Sequence, residues 1–521
     1  MNKNIAKLII LVFSVFLLTL STTAEDEQKT ISLSLDECIL KALKHNLNVK
    51  VEVLSPRLSE ITLSQTKEKF LPELSFSYSK RNTESASYSW LDSNDQVTTK
   101  SESNAAEISQ FLPTGGTLSV SLSNDKSDTN RNFQTINPRY GSTLQLSLSQ
   151  PLLKNFGFKT NRRDIIIARN NLEITENRFK SVLQDTVYNV EDAYWNLVYS
   201  IENLKVIQQA LELANDLLRK NKRSVEVGTL APIEVKNAEA EVATREADIL
   251  QAQALVENNM DQLKRIINLY DWHKGEDPVI IPVDRPVFKE REITLDEAID
   301  TALKNRPDLL EQKISIKNNV FNVNYAKNQL LPDLSLQASI WSPGISGTQL
   351  IYENNDPLTG VVIGTLPGGP KDAMKDALGF AYNNWSVALS LSIPFSSIFS
   401  RSQLAQARVT LEQSKLRLQD TIQQILLEIK QAVRTAQTNF KRVNAYKIAR
   451  ELTQKKLEAE EEKLKVGRST NYNVLLTQRD FSTARTNELK AIVDYNLSLA
   501  ALEKALGTSL DKQNIKINAE K

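Results

Sequence analysis

The chain has 521 residues, enough for two to four domains of ordinary size. Lys and Arg total 64 against 63 Asp and Glu, so there is no general basic field of the kind that binds nucleic acid. The single cysteine, Cys38, excludes an internal disulfide, so the chain must be stabilised by packing or assembly.

The first 24 residues have the pattern of a secretory signal peptide. Lys3 and Lys7 precede an apolar run from Leu8 to Leu20, and small residues lead to Ala24, after which we expect cleavage. The alternative, an N-terminal membrane anchor, is disfavoured because the run is too short to span a bilayer. No later stretch is apolar and long enough to be a transmembrane helix.

The chain after the signal peptide opens with a helix that is repeated later. Residues 34–37, Ser-Leu-Asp-Glu, form a capping box that predicts a helix running to about residue 70 and ending at Leu71-Pro72. Residues 294–297, Thr-Leu-Asp-Glu, repeat the box, and Leu331-Pro332 repeats the helix end. The two segments, 34–72 and 294–332, align without gaps, which indicates an internal duplication.

Four short segments alternate apolar residues with serine or glutamine, which predicts strands with one apolar and one polar face. Leu144, Leu146 and Leu148, for example, alternate with Gln145 and Ser147. Two such strands belong to each repeat. They cover residues 74–79, 143–149, 334–339 and 386–393.

A long helix follows the second strand of each repeat. Residues 160–227 contain neither proline nor glycine, enough for a helix about 100 Å long at ~1.5 Å per residue. Apolar residues step along it by four and three, which is the heptad pattern of a coiled coil. The seven positions are Leu183, Val187, Val190, Tyr194, Leu197, Ile201 and Leu204, and in the second repeat Ile422, Leu426, Ile429, Val433, Ala436, Phe440 and Val443.

Each long helix ends at a Val-Gly turn and is followed by a returning helix, which predicts two antiparallel helical hairpins. Gly228 and Gly467 suit helix C-caps, and Pro232 suits the first turn of the next helix. The returning helices extend to about Leu269 and Leu506. The predicted organisation is a signal peptide (1–24), a first structural repeat (25–269), a linker (270–292), a second repeat (293–507) and a polar tail (508–521).

Several alternating strands of this kind are typical of an outer-membrane β-barrel. A soluble sandwich is disfavoured because long helices enter and leave the strand pairs and nothing else in the chain would form a second sheet. Open sheet edges leave backbone groups unpaired in hydrocarbon, and a useful barrel needs about eight strands. One chain supplies four strands, or six with an extra hairpin, so the strands predict an oligomer.

The extra hairpin occurs only in the first repeat. It comprises residues 105–112, the turn 113–116 and residues 117–123, and polar segments that we interpret as loops flank it at 82–104 and 125–141, with a third such loop at 342–384. Two interpretations remain open. The hairpin either adds strands to the barrel or folds as a flap over its mouth, and the long polar loops favour the flap.

The duplicated order of capping box, Leu-Pro helix end, Ser149-Gln-Pro-Leu152 strand end and Val-Gly turn resembles the TolC-type outer-membrane efflux protein family. The resemblance covers nearly the whole mature chain. It implies a mixed α and β membrane protein: a homotrimer whose twelve-stranded outer-membrane barrel continues as a long periplasmic α-helical coiled-coil barrel. It also implies docking of the hairpin tips onto a periplasmic adaptor (membrane fusion) protein that joins an inner-membrane pump of the RND, ABC or MFS class.

Site residues are mapped from the same resemblance. The docking tips are Val227, Gly228, Thr229, Leu230 and Pro232, and Val466, Gly467, Arg468, Ser469 and Asn471. The family's acidic aperture positions fall at Asn473 and Leu476, neither of them acidic. The matching position of the first hairpin is Glu234, which would supply one carboxylate per protomer, with Arg468 as a candidate partner. The competing interpretation is that Glu234 is a solvated first-turn acid favoured by the helix dipole.

No motif predicts catalysis, a metal site or a cofactor site: His45 and His273 occur in unrelated contexts, and Tyr194 and Trp195 lie on a helix seam. The favoured function is a passive exit duct in the outer membrane, in contact with its lipid. A periplasm-spanning coiled-coil scaffold or adhesin is the alternative, and a stand-alone porin is weaker. A hydrated lumen needs the Ser/Gln faces of the strands, whereas a scaffold has no use for them.

Overall fold

The computed structural model describes residues 30–87, 96–269, 277–291 and 294–515. The predicted signal peptide and residues 516–521 of the polar tail lie outside these residues. The described chain divides into two compact units, each drawing on both repeats. One contains the residues up to Glu52, Lys180–Arg306 and those from Gln423 onward, and the other contains Val53–Phe179 and Pro307–Ile422.

Helices form most of the described structure. None of those within the described ranges combines the length and hydropathy that crossing a lipid bilayer requires. Their bounds are α1 Leu35–His45, α2 Leu47–Glu52, α3 Leu54–Glu68, α4 Phe158–Asn161, α5 Arg163–Glu226, α6 Ile233–Ile267, α7 Leu295–Asn305, α8 Pro307–Asn328, α9 Pro370–Leu378, α10 Ile398–Lys465, α11 Asn471–Leu506 and α12 Ser509–Lys512.

The two helical hairpins, α5–α6 and α10–α11, are confirmed. The heptad positions Val187, Val190, Tyr194 and Leu197 on α5 are at most 1% exposed, and Ile429 on α10 is fully buried. Tyr194 packs edge-on against Trp195, with 5.4 Å between ring centroids, so both aromatic residues serve packing as predicted. Hydrogen bonds join the helices of each pair: Asn259 donates to the carbonyl oxygen of Asn196, and Asn439 to that of Asp494.

The single helix predicted from residue 34 to about residue 70 is wrong, because the structure has three helices there. Asn46 ends α1 with an extended ψ of 131°, and its side-chain oxygen accepts the Asn48 N–H at 2.8 Å to start α2. In the second repeat Arg306 breaks the helix, since the residue before Pro307 is driven out of the helical conformation.

Only one of the two predicted capping boxes forms. The Ser34 hydroxyl accepts the Glu37 N–H at 3.3 Å, and the Glu37 carboxylate accepts the Ser34 N–H at 2.9 Å. Thr294 makes no side-chain bond to the backbone of its helix; its hydroxyl donates instead to the Glu297 carboxylate at 2.5 Å. The two repeats are therefore alike in sequence here but not in detail.

The strands are longer than predicted. The structure has β1 Thr30–Leu33, β2 Glu73–Ala86, β3 Gln96–Phe111, β4 Thr117–Thr129, β5 Ile136–Pro151, β6 Val279–Pro282, β7 Asp333–Tyr352, β8 Val362–Leu366 and β9 Asn384–Ser392. Parts of all three polar segments predicted as loops continue the strands, because polar cross-strand pairs hold them together, and the third segment also contains β8 and α9. Arg139 binds Asp125 at 2.9 Å, for example.

The extra hairpin is part of the main sheet, so the flap interpretation is wrong. The described sheet is ordered β2-β3-β4-β5-β7-β8, and β9 also pairs with β7; all its pairs are antiparallel. β3 and β4 lie between β2 and β5, and backbone hydrogen bonds join them to their neighbours on both sides. In a flap these backbone groups would face solvent instead. The short β8 pairs only with the far end of β7, at Gln349–Tyr352.

The register aligns apolar side chains in a row across six strands. Directly paired residues lie on the same face of a sheet, so a chain of pairs marks one face. The apolar row is Leu74, Ile108, Val120, Leu146, Ile340 and Trp385, each between 42% and 74% exposed. On the opposite face one row reads Glu73, Ser109, Ser119, Ser147, Ser339 and Ser386, with hydroxyl–hydroxyl bonds of 2.6 Å at Ser119–Ser147 and 2.8 Å at Ser339–Ser386.

The predicted linker contributes an element that the sequence pattern did not indicate. Within it β6 pairs in parallel with β1, from Thr30–Val279 to Leu33–Pro282. Asp284, just after β6, accepts the Leu35 N–H at 2.7 Å and contacts the Tyr194 hydroxyl at 3.1 Å. The linker thus holds the start of α1 against the buried seam of α5.

A buried charged cluster fastens the C-terminal turn to the same unit. Glu503 on α11 is 3% exposed and accepts from Arg291 at 2.5 Å and Lys512 at 2.8 Å. Glu191 on α5 is 6% exposed and, within the described part of the chain, accepts from the Gln513 amide alone, at 3.3 Å. Burial raises the pKa of the Glu191 carboxyl from 4.5 to about 7, against the opposing effect of Lys512 and with a smaller upward effect of Glu503.

We expect Glu191→Gln to stabilise the protein at pH 8 and to have little effect at pH 5. A carboxyl whose pKa is raised on folding favours the folded state when protonated, and this contribution is lost as the pH rises through about 7. The gain at pH 8 should be roughly 1–3 kcal/mol, measured as the unfolding midpoint of the helical circular dichroism signal. Glu212→Gln, at an exposed position of α5, is the control. An equal effect of Glu191→Gln at both pH values would contradict the assignment.

Candidate functional site at the helical hairpin ends

The first hairpin end is a tight turn of six residues between α5 and α6. Gly228 adopts a φ of +76°, a conformation that glycine takes without the strain of a side chain. The Thr229 N–H and hydroxyl both bond to the Ser224 carbonyl oxygen, at 2.9 and 3.0 Å. The buried Asn221 side chain donates to the Glu234 carbonyl oxygen at 3.3 Å. Hydrogen bonds therefore hold the turn to the end of α5 and join α5 to the start of α6.

The second hairpin end is built in the same way. Gly467 has a φ of +74°, and the Arg468 N–H bonds to the Lys463 carbonyl oxygen at 2.8 Å. Thr470 caps α11 by accepting the Asn473 N–H at 3.3 Å, and the Ser469 hydroxyl donates to the Glu460 carboxylate. The predicted C-cap role of both glycines is consistent with these geometries, and Pro232 lies one residue before α6 rather than within it.

The ten predicted docking residues are brought together as two groups of five, one at each hairpin end. All ten are exposed or half-buried. Each hairpin end exposes apolar residues. Val227 is 73% exposed and Ile233 61% at the first end, and Val466 is 69% exposed and Tyr472 62% at the second. Rigid backbone turns that present valine and aromatic side chains to solvent have the chemistry of a protein-binding surface.

The three aperture candidates lie in the first two turns of α6 and α11, next to these apolar residues. Glu234 is half-buried in the first turn of α6, and no ion pair joins it to Arg468 among the described residues. Asn473 is exposed in the first turn of α11, and Leu476 is 44% exposed one turn later. In this chain the second hairpin therefore presents an amide and an apolar side chain at positions where the resemblance expects acids.

One connection between the hairpins was not predicted. The Arg479 guanidinium on α11 donates to Glu241 on α6 at 2.9 Å, and Arg245 holds the other oxygen of that carboxylate at 2.8 Å. Glu241 has a side chain only 13% exposed, so water screens this pair less than a surface pair. The Glu241–Arg245 spacing of four residues was visible in the sequence, but its long-range partner Arg479 was not.

Comparison with known proteins decides the family. The model for outer membrane efflux proteins matches residues 109–269 and 298–508, which is more than half of the chain. The chain belongs to the outer membrane efflux protein family. It is therefore an outer-membrane protein, and its relatives are channel and secretion proteins rather than enzymes.

Individual members of the outer membrane efflux protein family are distant in sequence and close in fold. Outer membrane protein TolC of Escherichia coli is 24% identical over 337 residues, which span 64% of this chain and 64% of that protein. The alkaline protease secretion protein AprF of Pseudomonas aeruginosa is 20% identical over 387 residues, 73% of this chain and 72% of that protein. The outer-membrane channel OprN superposes with a TM-score of 0.65 at 16% identity, covering 91% of this chain and 90% of that one.

Proposed function

We propose that this protein is the outer-membrane exit duct of an efflux or secretion system and that three copies form one passive conduit. The observation that carries the proposal is the pair of rows, one apolar and one of serines, across the six long strands of the main sheet. An exposed apolar row suits lipid, and a serine row on the opposite face suits a hydrated lumen. A scaffold or adhesin would gain nothing from the serine row, and the duct requires no catalysis.

The strand edges support assembly by sheet closure. β2 and β9 form the outer edges of the six long strands, and every described residue of β2 is exposed. In hydrocarbon each unpaired backbone group would cost several kcal/mol. Three copies joined from β2 to β9 would therefore close an eighteen-stranded barrel. Its diameter would be about one and a half times that of the twelve-stranded barrel implied by the resemblance, because barrel diameter grows with strand number.

We expect cysteines on the polar faces of β2 and β9 to cross-link neighbouring copies. In a Cys38→Ser background, Ser77→Cys is combined in turn with Ser386→Cys, Ala388→Cys and Ser390→Cys. Closure of the barrel would bring the cysteine at position 77 of one copy within disulfide distance of one of the three β9 cysteines of the next copy. Dimers and trimers should therefore survive denaturing electrophoresis without reductant. Val387→Cys and Leu389→Cys, on the apolar face, are the controls. A protein that remains monomeric in detergent by light scattering would contradict the closed barrel.

The hairpin ends are proposed as the docking surface for a periplasmic adaptor, which in turn joins an inner-membrane pump. This proposal is supported by the fixed turns and by the exposed valines at both ends. The duct itself has no energy source, so the partner must supply the work of transport. The connection between Glu241 and Arg479 holds the two hairpins side by side and so fixes the spacing of the two docking groups.

We expect photo-cross-linkers placed at Val227 or Val466 to capture the same periplasmic protein in intact cells of the native host. Both side chains project into solvent from a rigid turn, so replacing them leaves the fold unchanged. Adducts are identified by mass spectrometry. Ile448, an equally apolar residue of α10 that is 58% exposed, is the control position. The same adduct at Ile448, or no adduct at either valine, would argue against docking at the hairpin ends.

Glu234 is proposed as the single carboxylate that each protomer contributes near the periplasmic aperture, since Asn473 and Leu476 carry no charge. We expect Glu234→Gln to weaken block of the channel by divalent cations, because three converging carboxylates attract such ions. Single-channel currents in planar bilayers measure the block. Glu246→Gln, at an exposed position of the same helix, should leave it unchanged. Identical block in the Glu234 variant and the parent would show a solvated acid without a gating role.

A further inference from the structure

Helix α9 lies directly on the main sheet. It contacts both β5 and β7, so it covers a face of the sheet and not an edge. A Cβ atom built on Gly344 would lie 2.0 Å from the carbonyl oxygen of Ala373, and Ala373 and Ala377 are fully buried. Only glycine permits this close approach. The position of the helix is therefore fixed by its backbone contact with β7.

The register identifies which face α9 covers. Gly344 pairs with Ser142, and Ile340 pairs with Leu146 of the apolar row. Residues an even number apart on one strand share a face, so Gly344 and Ile340 face the same way. Ser142 and Ser342 on this face are at most 2% exposed, whereas Ile345 on the opposite face is 53% exposed. Helix α9 thus lies on the face proposed to meet lipid.

On that face, α9 lies where the region of apolar side chains ends. The row through Gly344 contains Ser142, Asn124 and Asn104 and ends at Tyr78 on β2, so aliphatic side chains give way there to polar and aromatic ones. Three exposed residues lie at or just after the end of α9: Leu378 is 51% exposed, Phe380 45% and Tyr382 62%. Aromatic residues concentrate where membrane hydrocarbon meets the headgroups. The other border, at the strand ends that continue into α4 and α10, also exposes aromatic residues, Phe158 and Phe399.

Two lysines form the outer surface of α9. Lys371 and Lys375 are one turn apart and exposed, and neither has an ion-pair partner among the described residues. Asp372 is occupied at the start of the helix, where its carboxylate accepts the Gly369 N–H at 3.0 Å. Asp376 is half-buried. Two ammonium groups without an ion-pair partner among the described residues therefore project outward from α9 at the headgroup level, beside the exposed carboxylate of Asp372.

We propose that α9 binds the phosphate groups of lipid in the outer leaflet of the membrane. Lys371 and Lys375 pair with the phosphates, and Leu378 and Phe380 lie among the upper parts of the acyl chains. Ammonium groups at an anionic surface and apolar side chains below them are the two parts of interfacial lipid recognition. The inference rests on the proposed function, because it requires the apolar face of the sheet to meet the membrane.

The test uses the purified full chain in mild detergent, titrated with diphosphorylated lipid A and followed by native mass spectrometry. We expect Lys371→Gln/Lys375→Gln to weaken binding roughly 25-fold, about fivefold for each lysine. Lys371→Arg/Lys375→Arg should retain it. The matched control is Lys447→Gln/Lys455→Gln, which removes two exposed lysines from α10. Lipid A without phosphate should bind the parent protein as weakly as phosphorylated lipid A binds the Gln variant.

Equal binding of phosphorylated lipid A by the Gln variant and the parent would overturn the inference. Competition by inorganic phosphate at the concentration of the lipid would also overturn it, because the site would then recognise the free anion. The same preparations are examined for trimer mass and for conductance in planar bilayers. A conducting trimer that does not distinguish phosphorylated lipid contradicts only the role of α9, whereas a monomer without conductance contradicts the proposed duct.

Discussion

The unpaired backbone edges of β2 and β9 are the constraint on which the rest of the structure depends. Within one chain the six long strands satisfy each other's backbone groups through antiparallel pairing, but the two outermost strands have donors and acceptors left over. Membrane hydrocarbon offers no water to satisfy them. In hydrocarbon such a sheet needs a partner strand on each side, and the proposed assembly of three copies would supply them.

The same sheet explains how one set of strands serves two surroundings. Because side chains alternate with a period of two, each strand carries its apolar residues to one face and its serines to the other. The register then joins these faces across strands, from Leu74 to Trp385 on one side and from Ser109 to Ser386 on the other. A shift of one residue between two strands would place serines among the apolar residues, so the register is strongly determined.

The helices solve a different problem, which is to hold two long hairpins in one arrangement. Burial of the heptad positions on α5 and α10 supplies most of the contact, and polar groups fix the geometry at defined points. At the hairpin ends these points are glycines with positive φ and side-chain bonds to the turn. Further along, Glu241 holds Arg245 within its own helix and Arg479 from the other hairpin.

Local periodicity is what the sequence determined by itself. Alternation predicted the faces of β2, β5, β7 and β9, heptad spacing predicted the buried seam, and Val-Gly turns located both hairpin ends, because each pattern lies within a few neighbouring residues. Choices among distant partners required the tertiary structure: the place of β3 and β4 inside the sheet, the β1–β6 pair, the Glu241–Arg479 connection and the position of α9 against Gly344. Several alternating strands are nearly equivalent as partners, so only the complete set of backbone hydrogen bonds and close contacts decides between them.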